Sequence, residues 1–277
     1  MRILTVYKKN HESVHDRAFD HVRRTIEDLG LSASFRAREV VQREDVLDVD
    51  LVIVLGGDGT LTSISHIIDS ETLVMGVNSH PRDEDAEGSL GFFMGSDART
   101  FESDLDAVIN GTAEVNLLPR LQAVIETTSG NRIRTDPALN DLFIGNTHQY
   151  QPSKYMLRRG GQRWRQQSSG LIFSTYLGRG AWYDHAAGSD ALTGVANQAA
   201  SHYFAFAREV LTDMTAPDAS RNAWTSEPTT VVSDMHRGYV VADGWDETHF
   251  NRGATITVDL SGPVLRLVTI RGQLTSS

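Results

Sequence analysis

The sequence contains no cysteine, which excludes disulfides, thiolate metal sites and a cysteine nucleophile and makes a cytoplasmic setting the default expectation. It also lacks any apolar run near the ~20 residues that cross a bilayer, so no membrane partner is expected. An excess of positive charge is missing as well. The formal net charge is -10, and general nucleic-acid binding needs Lys and Arg in excess to neutralise phosphates. The opening "MRILTVYKKN" lacks the charged start, long apolar stretch and cleavage site of a targeting peptide.

What is present is ordinary globular composition, with 40% hydrophobic and 22% charged residues over 277 positions. That length holds a substantial core and predicts two domains. For a phosphorylated ligand the negative balance calls for local positive charge. Basic residues cluster from Lys154 to Arg165 ("KYMLRRGGQRWR"), with Arg179 further on. A charge run of this kind is most simply a solvated hairpin face.

The first part alternates strand and helix signals. Arg2 to Tyr7 reads as a strand, and Val14, Ala18, Val22, Ile26 and Leu29 recur at helical spacing until Gly30. Strands are expected near Ser34 to Arg38, at Leu51 to Leu55 and at Leu73 to Asn78, with a helix over Thr60 to Ile68. Phe101, Leu105, Val108 and Ile109 mark another helix, with Ser96 or Asp97 as its capping start. Alternation of this kind implies a mostly parallel sheet covered on both faces. Beyond Gly111 the pattern becomes β-rich, beginning with a hairpin around Ser129, Gly130 and Asn131. The stretch from His185 to His202 is open between helix and loop, and Ala207 to Pro228 is expected to be a surface excursion. A final strand from Pro263 to Gly272 is expected to return to the first domain.

The chemistry concentrates in "DLVIVLGGDGTLTS", Asp50 to Ser63. A buried parallel strand delivers the chain to the edge where open α/β sheets bind ligands. Gly56, Gly57 and Gly59 let the backbone approach a ligand closely, and the N-terminus of the following helix favours phosphate. Asp58 would repel phosphate. It suits either the orientation of an attacking hydroxyl and acceptance of its proton, or placement of magnesium; the plainer alternative is a side chain that caps the helix. The pattern is neither the Walker nor the dinucleotide glycine motif.

GGDGT after a buried strand resembles the signature of the NAD kinases and of the related diacylglycerol and sphingosine-type lipid kinases. Downstream landmarks favour the first. "GVNSHPRDEDAEGSLGFF" (Gly76 to Phe93) resembles the NAD kinase segment in which Asn78 ends a strand and Leu-Gly-Phe follows, with a longer stretch between. "ALNDLFIGN" (Ala138 to Asn146) resembles the Asn-Glu motif with aspartate for glutamate. "SSGLIFSTYLGRGAW" (Ser168 to Trp182) is similar to an Asp-Gly strand followed by Thr-Gly-Ser-Thr-Ala-Tyr, and "GYVVADGWD" (Gly238 to Asp246) to the carboxyl-terminal Asp-Gly turn with Asp243. Asn-x-x-Pro, Ser-Ser-Gly and Ala-Trp look closest to the mitochondrial-type branch. Lipid kinase is the weaker enzyme reading, because no strongly amphipathic basic segment accompanies the loop.

The resemblance implies a Rossmann-like α/β domain over residues 1–112, a β-rich NAD-binding domain over 113–262 and a returning strand over 263–277, with the ligand between the domains. It implies transfer of the γ-phosphoryl group of ATP, with Mg2+, to the adenosine ribose 2′-hydroxyl of NAD, giving NADP. Asp58 would position that hydroxyl, with Gly56, Gly57, Gly59 and Thr60 around phosphates and ribose. Phe92 matches an aromatic near the adenine, and either it or Phe93 belongs to the core. Asn140 and Asp141 match the pair that contacts the nicotinamide half, and Ala181 and Trp182 match residues that enclose the dinucleotide. Leu177, Arg179 and Gly180 around Gly178 depart from the hydroxyl and lysine residues of the family, leaving Arg179 to contact phosphate. Ser169 replaces an aspartate at the nicotinamide end. These departures also leave room for an NAD-binding protein that has lost phosphoryl transfer. A homodimer or homotetramer is expected by resemblance. His80 with Asp83, Glu84 and Asp85, and Asp234 with His236, lack a recognised metal spacing, so nucleotide-bound magnesium is the only metal inferred.

Overall fold

The computed structural model describes residues 1–9, 13–188, 196–211 and 218–270. Two compact units divide the chain: Met1–Leu118 together with Val264–Ser277, and Pro119–Pro263.

The first unit is built on strands β1 (Ile3–Tyr7), β2 (Ala33–Ala37), β3 (Leu51–Gly56) and β4 (Leu73–Asn78), paired in parallel in the order β2-β1-β3-β4. Every residue of β3 is buried, as expected of a parallel strand with both faces covered. Helix α1 (Ser13–Asp28) buries Ala18, Val22 and Ile26 against that sheet. It ends where Gly30 takes φ +64 and the Leu31 amide bonds back to the Ile26 carbonyl, a Schellman closure that satisfies orphan carbonyls. Helix α2 (Asp58–Ser65) follows β3 with only Gly57 as its cap.

The expected cap at Ser96 or Asp97 is corrected. These two residues form a short strand, β5, parallel to the end of β4, and helix α3 (Phe101–Ile109) starts after Thr100. Asp97 still performs a turn-closing role: its Oδ1 accepts from the Arg99 amide at 2.8 Å and the Thr100 amide at 3.2 Å. A capping-type side chain therefore marked the turn before the helix, one turn early.

In the second unit, β6 (Glu114–Glu126, most of it in this unit) pairs with β7 (Arg132–Arg134) across the expected hairpin. Strands β8 (Asp141–Asn146), β9 (Ser153–Arg159), β10 (Gln162–Ser168) and β11 (Leu171–Ser174) follow, then the short helix α4 (Tyr183–Ala187) and β12 (Tyr203–Ala207). Helix α5 (Asp218–Arg221) leads into β13 (Asn222–Thr225), and β14 (Thr229–Ser233), β15 (Arg237–Ala242), β16 (Glu247–Asn251) and β17 (Thr255–Thr269) complete the chain. A six-stranded antiparallel sheet has the order β13-β12-β11-β8-β15-β16. Its inner side chains, among them Leu142, Ile144, Phe173 and Tyr203, share a core with Tyr155, Leu157, Val231 and Ile256.

The stretch read as a surface excursion contains an edge strand instead: β13 pairs with β12 through Tyr203↔Thr225 to Phe206↔Asn222. Residues 212–217 of that stretch, 189–195 of the helix-or-loop segment and 271–272 of the last expected strand lie outside the described residues. The basic run forms the β9-β10 hairpin, with Lys154 and Arg158 exposed on alternate positions and Arg159 buried. Strand β17 is much longer than expected, and its residues Arg266 and Leu267 pair in parallel with Leu73 and Val74 of β4 in the first unit.

Candidate active site

The loop between β3 and α2 is shaped by close backbone approach. A β-carbon on Gly56 would lie 2.5 Å from the Thr60 hydroxyl, and one on Gly57 would lie 2.9 Å from the Ser89 hydroxyl. Gly59 has open space around it. Thr60 is buried in the first helical turn, its amide bonded to the Gly57 carbonyl.

Asp58 is the first residue of α2, half-buried, and does not cap its own helix. Its Oδ1 accepts from the Phe93 amide at 2.8 Å and its Oδ2 from the Phe92 amide at 3.0 Å. The Ser89 hydroxyl lies 3.4 Å from Oδ2 and 3.4 Å from the Asp58 amide. Two amides of a distant loop thus fix the carboxylate at a helix N-terminus, where negative charge is favoured. This is an orienting arrangement, and it leaves the capping role to Gly57.

That distant loop runs from Asn78 to Phe93 and closes on itself. Asn78, buried at the end of β4, donates to the Ser89 carbonyl at 3.2 Å and accepts from the His80 amide at 3.1 Å. The Ser89 amide bonds to the His80 carbonyl at 2.8 Å. Gly91 is required here: its φ is +69, and a β-carbon would meet the Asn78 side-chain nitrogen at 2.6 Å. Of the two phenylalanines, Phe93 is the core residue and Phe92 stays half-buried, their rings edge to face at 4.9 Å. His80 pairs with Asp85 at 3.0 Å, and the buried His15 ring nitrogen lies 2.6 Å from the Ser79 hydroxyl. Among the described residues no cluster of three His, Cys, Asp or Glu side chains is arranged to hold a metal. Both Asp58 oxygens already accept from amide donors.

The second unit gathers Asn140, Asp141, Gly178 and Asp243. Asp243 sits at φ +49, and its carboxylate accepts three consecutive amides: Leu139 at 2.8 Å, Asn140 at 2.7 Å and Asp141 at 3.1 Å. The turn is locked from the other side by Thr175, whose hydroxyl donates to the Leu139 carbonyl at 2.8 Å and accepts the Gly178 amide at 2.9 Å. Gly178 packs so tightly that a β-carbon would lie 2.2 Å from the Asn140 Cα. Asp141 is buried at the start of β8, and burial, followed by the negative charge of Asp243, pushes its carboxyl up to about 7.

The divergent loop occupies its own arginine. Arg179 Nε lies 3.5 Å from Asp184, and its guanidinium stands 5.0 Å from the centre of the Tyr176 ring. Trp182 is half-buried against Phe143, with the Arg208 guanidinium 5.3 Å over its ring, and Ala181 is exposed beside it. Ser169 stands apart from Asn140 and Asp141. In the register of β11 against β8, Leu171 opposes Ile144 while Ser174 opposes Asp141, so Ser169 lies beyond the opposite end of the strand. There its hydroxyl bonds to Glu209, a residue at φ +45, and its amide to the Arg208 carbonyl.

Sequence reading passed over Ser89, Thr175, Arg208 and Glu209. Thr175 and Ser89 lie inside quoted motifs and were legible in principle, whereas Arg208 and Glu209 come to Trp182 and Ser169 only through the folding of the chain.

Comparison with known proteins adds a family. Residues 4–113 match the model of the ATP-NAD kinase N-terminal domain. A probable NADH kinase of Oryza sativa subsp. japonica is 36% identical over 133 residues, covering 43% of this chain and 40% of that protein. An NAD kinase of Syntrophobacter fumaroxidans is 33% identical over 143 residues, covering 51% of this chain and 47% of the relative. The matched part thus spans about half the length of these relatives or less. The crystal structure of an NAD kinase from Archaeoglobus fulgidus in complex with ATP aligns over 99% of this chain and 96% of that one, with a TM-score of 0.75 at 18% identity, which establishes a shared fold.

Proposed function

We propose, for a chain whose amino-terminal domain belongs to the NAD kinase family, that it transfers the γ-phosphoryl group of ATP to the 2′-hydroxyl of the adenosine ribose of NAD. The products are NADP and ADP. The observation that carries the reading is the placement of Asp58: a carboxylate fixed by the Phe92 and Phe93 amides, one residue into a helix that begins in a glycine loop.

In this reading Gly56, Gly57, Gly59 and Thr60 accommodate phosphates and ribose, and magnesium arrives with the triphosphate as part of the substrate. Asp58 accepts the hydrogen bond of the attacking hydroxyl and holds its oxygen in line with the γ-phosphorus. In a loose transition state this is mainly orientation, and the proton passes to Asp58 late. Phe92 offers a half-buried aromatic face to the adenine. At the nicotinamide half, Asn140 supplies an amide. Asp141, titrating near neutrality, can both donate to and accept from ribose hydroxyls. A phosphate that engages Arg179 must first compete with Asp184. Ala181 and Trp182 enclose the dinucleotide, and Glu209, bonded to Ser169, supplies beside the serine the negative charge that it lacks. The same reading carries a homodimer or homotetramer in the cytoplasm, measurable by light scattering and fractionation.

The decisive experiment incubates the purified protein with NAD, ATP and magnesium and detects NADP with an NADP-specific dehydrogenase, with NADH and polyphosphate in parallel. Triphosphate-dependent NADP is the expected result. NAD binding without product from any donor overturns the reading.

A further inference from the structure

We infer that Ser89 is a positioning residue for Asp58, and that the long loop ending in Ser89 is built to deliver its hydroxyl to that carboxylate. The inference rests on the phosphoryl-transfer reading above and adds to it a residue to which that reading gives no role.

Ser89 Oγ has three polar neighbours: the Asp58 Oδ2 at 3.4 Å, the Asp58 amide at 3.4 Å and the Gly91 amide at 3.2 Å. Both amides are donors, so the hydroxyl accepts from them and its own proton is directed to Oδ2. The serine backbone is fixed independently. Its amide donates to the His80 carbonyl at 2.8 Å, and its carbonyl accepts from the Arg82 amide at 3.1 Å and the Asn78 side chain at 3.2 Å. Further back, the loop is tied to α1 through His15 and Ser79 and closed by His80 and Asp85. Gly57 leaves the space, since a β-carbon there would lie within 3.0 Å of both Ser89 side-chain atoms.

The consequence is chemical. Oδ1 is held by one amide, whereas Oδ2 receives an amide and the Ser89 hydroxyl. A substrate hydroxyl bonding to Oδ2 therefore meets an oxygen whose direction Ser89 helps to set. Removing the hydroxyl loosens the carboxylate and takes away the acceptor shared by the Asp58 and Gly91 amides, which costs turnover more than ground-state binding.

The test compares Ser89→Ala and Ser89→Thr with wild type in NADP formation, together with hydrogen exchange at the Phe92 and Phe93 amides. In Ser89→Ala, kcat is expected to fall by roughly 10- to 100-fold, with the KM for NAD within about twofold. Both amides exchange faster, and Ser89→Thr, which keeps the hydroxyl, restores both readouts. Ser89→Ala within about twofold of wild type in kcat, or a loss that Ser89→Thr does not restore, overturns the inference. If the wild type makes no NADP, the kinase reading fails by itself. The exchange measurement then still decides the contact: faster exchange in Ser89→Ala alone supports it, and unchanged exchange overturns it.

Discussion

Three carboxylates, Asp58, Asp243 and Asp141, behave differently because their surroundings differ. Asp58 is held by two amides, and in the proposed reaction it meets the attacking hydroxyl. Asp58→Asn keeps the size and one acceptor oxygen, so it is expected to leave NAD affinity within a fewfold while lowering kcat by about 10² to 10⁴, the usual range for a lost general base. Calorimetry and the NADP assay separate the two effects, and wild-type turnover would remove Asp58 from the mechanism. Asp243 spends its charge on three backbone amides. Asp141 is buried next to it, and its carboxyl stands at about 7 against an ordinary value of 3.8. Because the folded state holds this proton more tightly than the unfolded chain, the group favours folding fully below pH ~4, and that support is lost as pH rises to ~7. A displacement of that size corresponds to about 4 kcal/mol. Asp141→Asn is therefore expected to be stabilised relative to wild type at pH 8 and to show no such gain at pH 4.5. Denaturant unfolding at the two pH values checks the sign.

Elements explain why some of this was legible in the sequence and some was not. Strands β1, β3 and β4 and helix α1 follow from local apolar patterning, because each buries a continuous run or a single stripe. The two-residue strand β5 has no pattern to read, since it exists only by pairing with the end of β4. Edge strand β13 is half-buried throughout and lies in a polar stretch, and its pairing with β12 decides its state. The same limit applies to the site. The glycine loop and the Asn140-Asp141 turn are contiguous motifs, whereas the contact of Ser89 with Asp58 spans 31 positions and that of Ser169 with Glu209 spans 40. Gly178 shows how an element imposes a residue: the loop after β11 rests on the Asn140 backbone, with Thr175 bonded to both sides. Gly178→Ala must push that loop away, because the new methyl group has only main-chain atoms before it. NAD affinity is expected to fall at least about tenfold, on the order of 1.4 kcal/mol, with Asp58-dependent chemistry on bound NAD preserved. Unchanged affinity by calorimetry would detach Gly178 from the dinucleotide site.

At the level of the whole chain, the order of the units creates an asymmetry between position in sequence and position in structure. The second unit, Pro119–Pro263, is inserted into the first, which is completed only by the chain from Val264 onward. The closing residues Leu265, Leu267 and Val268 are buried, and Arg266 and Leu267 pair with β4. Ending the chain after Pro263 therefore spares the neighbouring unit and strips the distant one. At about 1.5–3 kcal/mol for each buried aliphatic side chain, the loss is comparable with the 5–15 kcal/mol that stabilises a typical domain, and it exposes the edge of β4. The optical probes divide along the same line. All four tryptophans, Trp164, Trp182, Trp224 and Trp245, lie in the second unit, whereas the longer helices α1, α2 and α3 lie in the first. In the truncated chain the helical circular dichroism signal is expected to be weak or to melt well below that of the full chain. Tryptophan fluorescence should keep a cooperative transition, because the β-rich unit retains its own core. Coincident transitions at the full-length temperature would mean that β17 contributes nothing essential to the first unit. Loss of both signals together would mean that the inserted unit cannot hold its core without the host into which it is inserted.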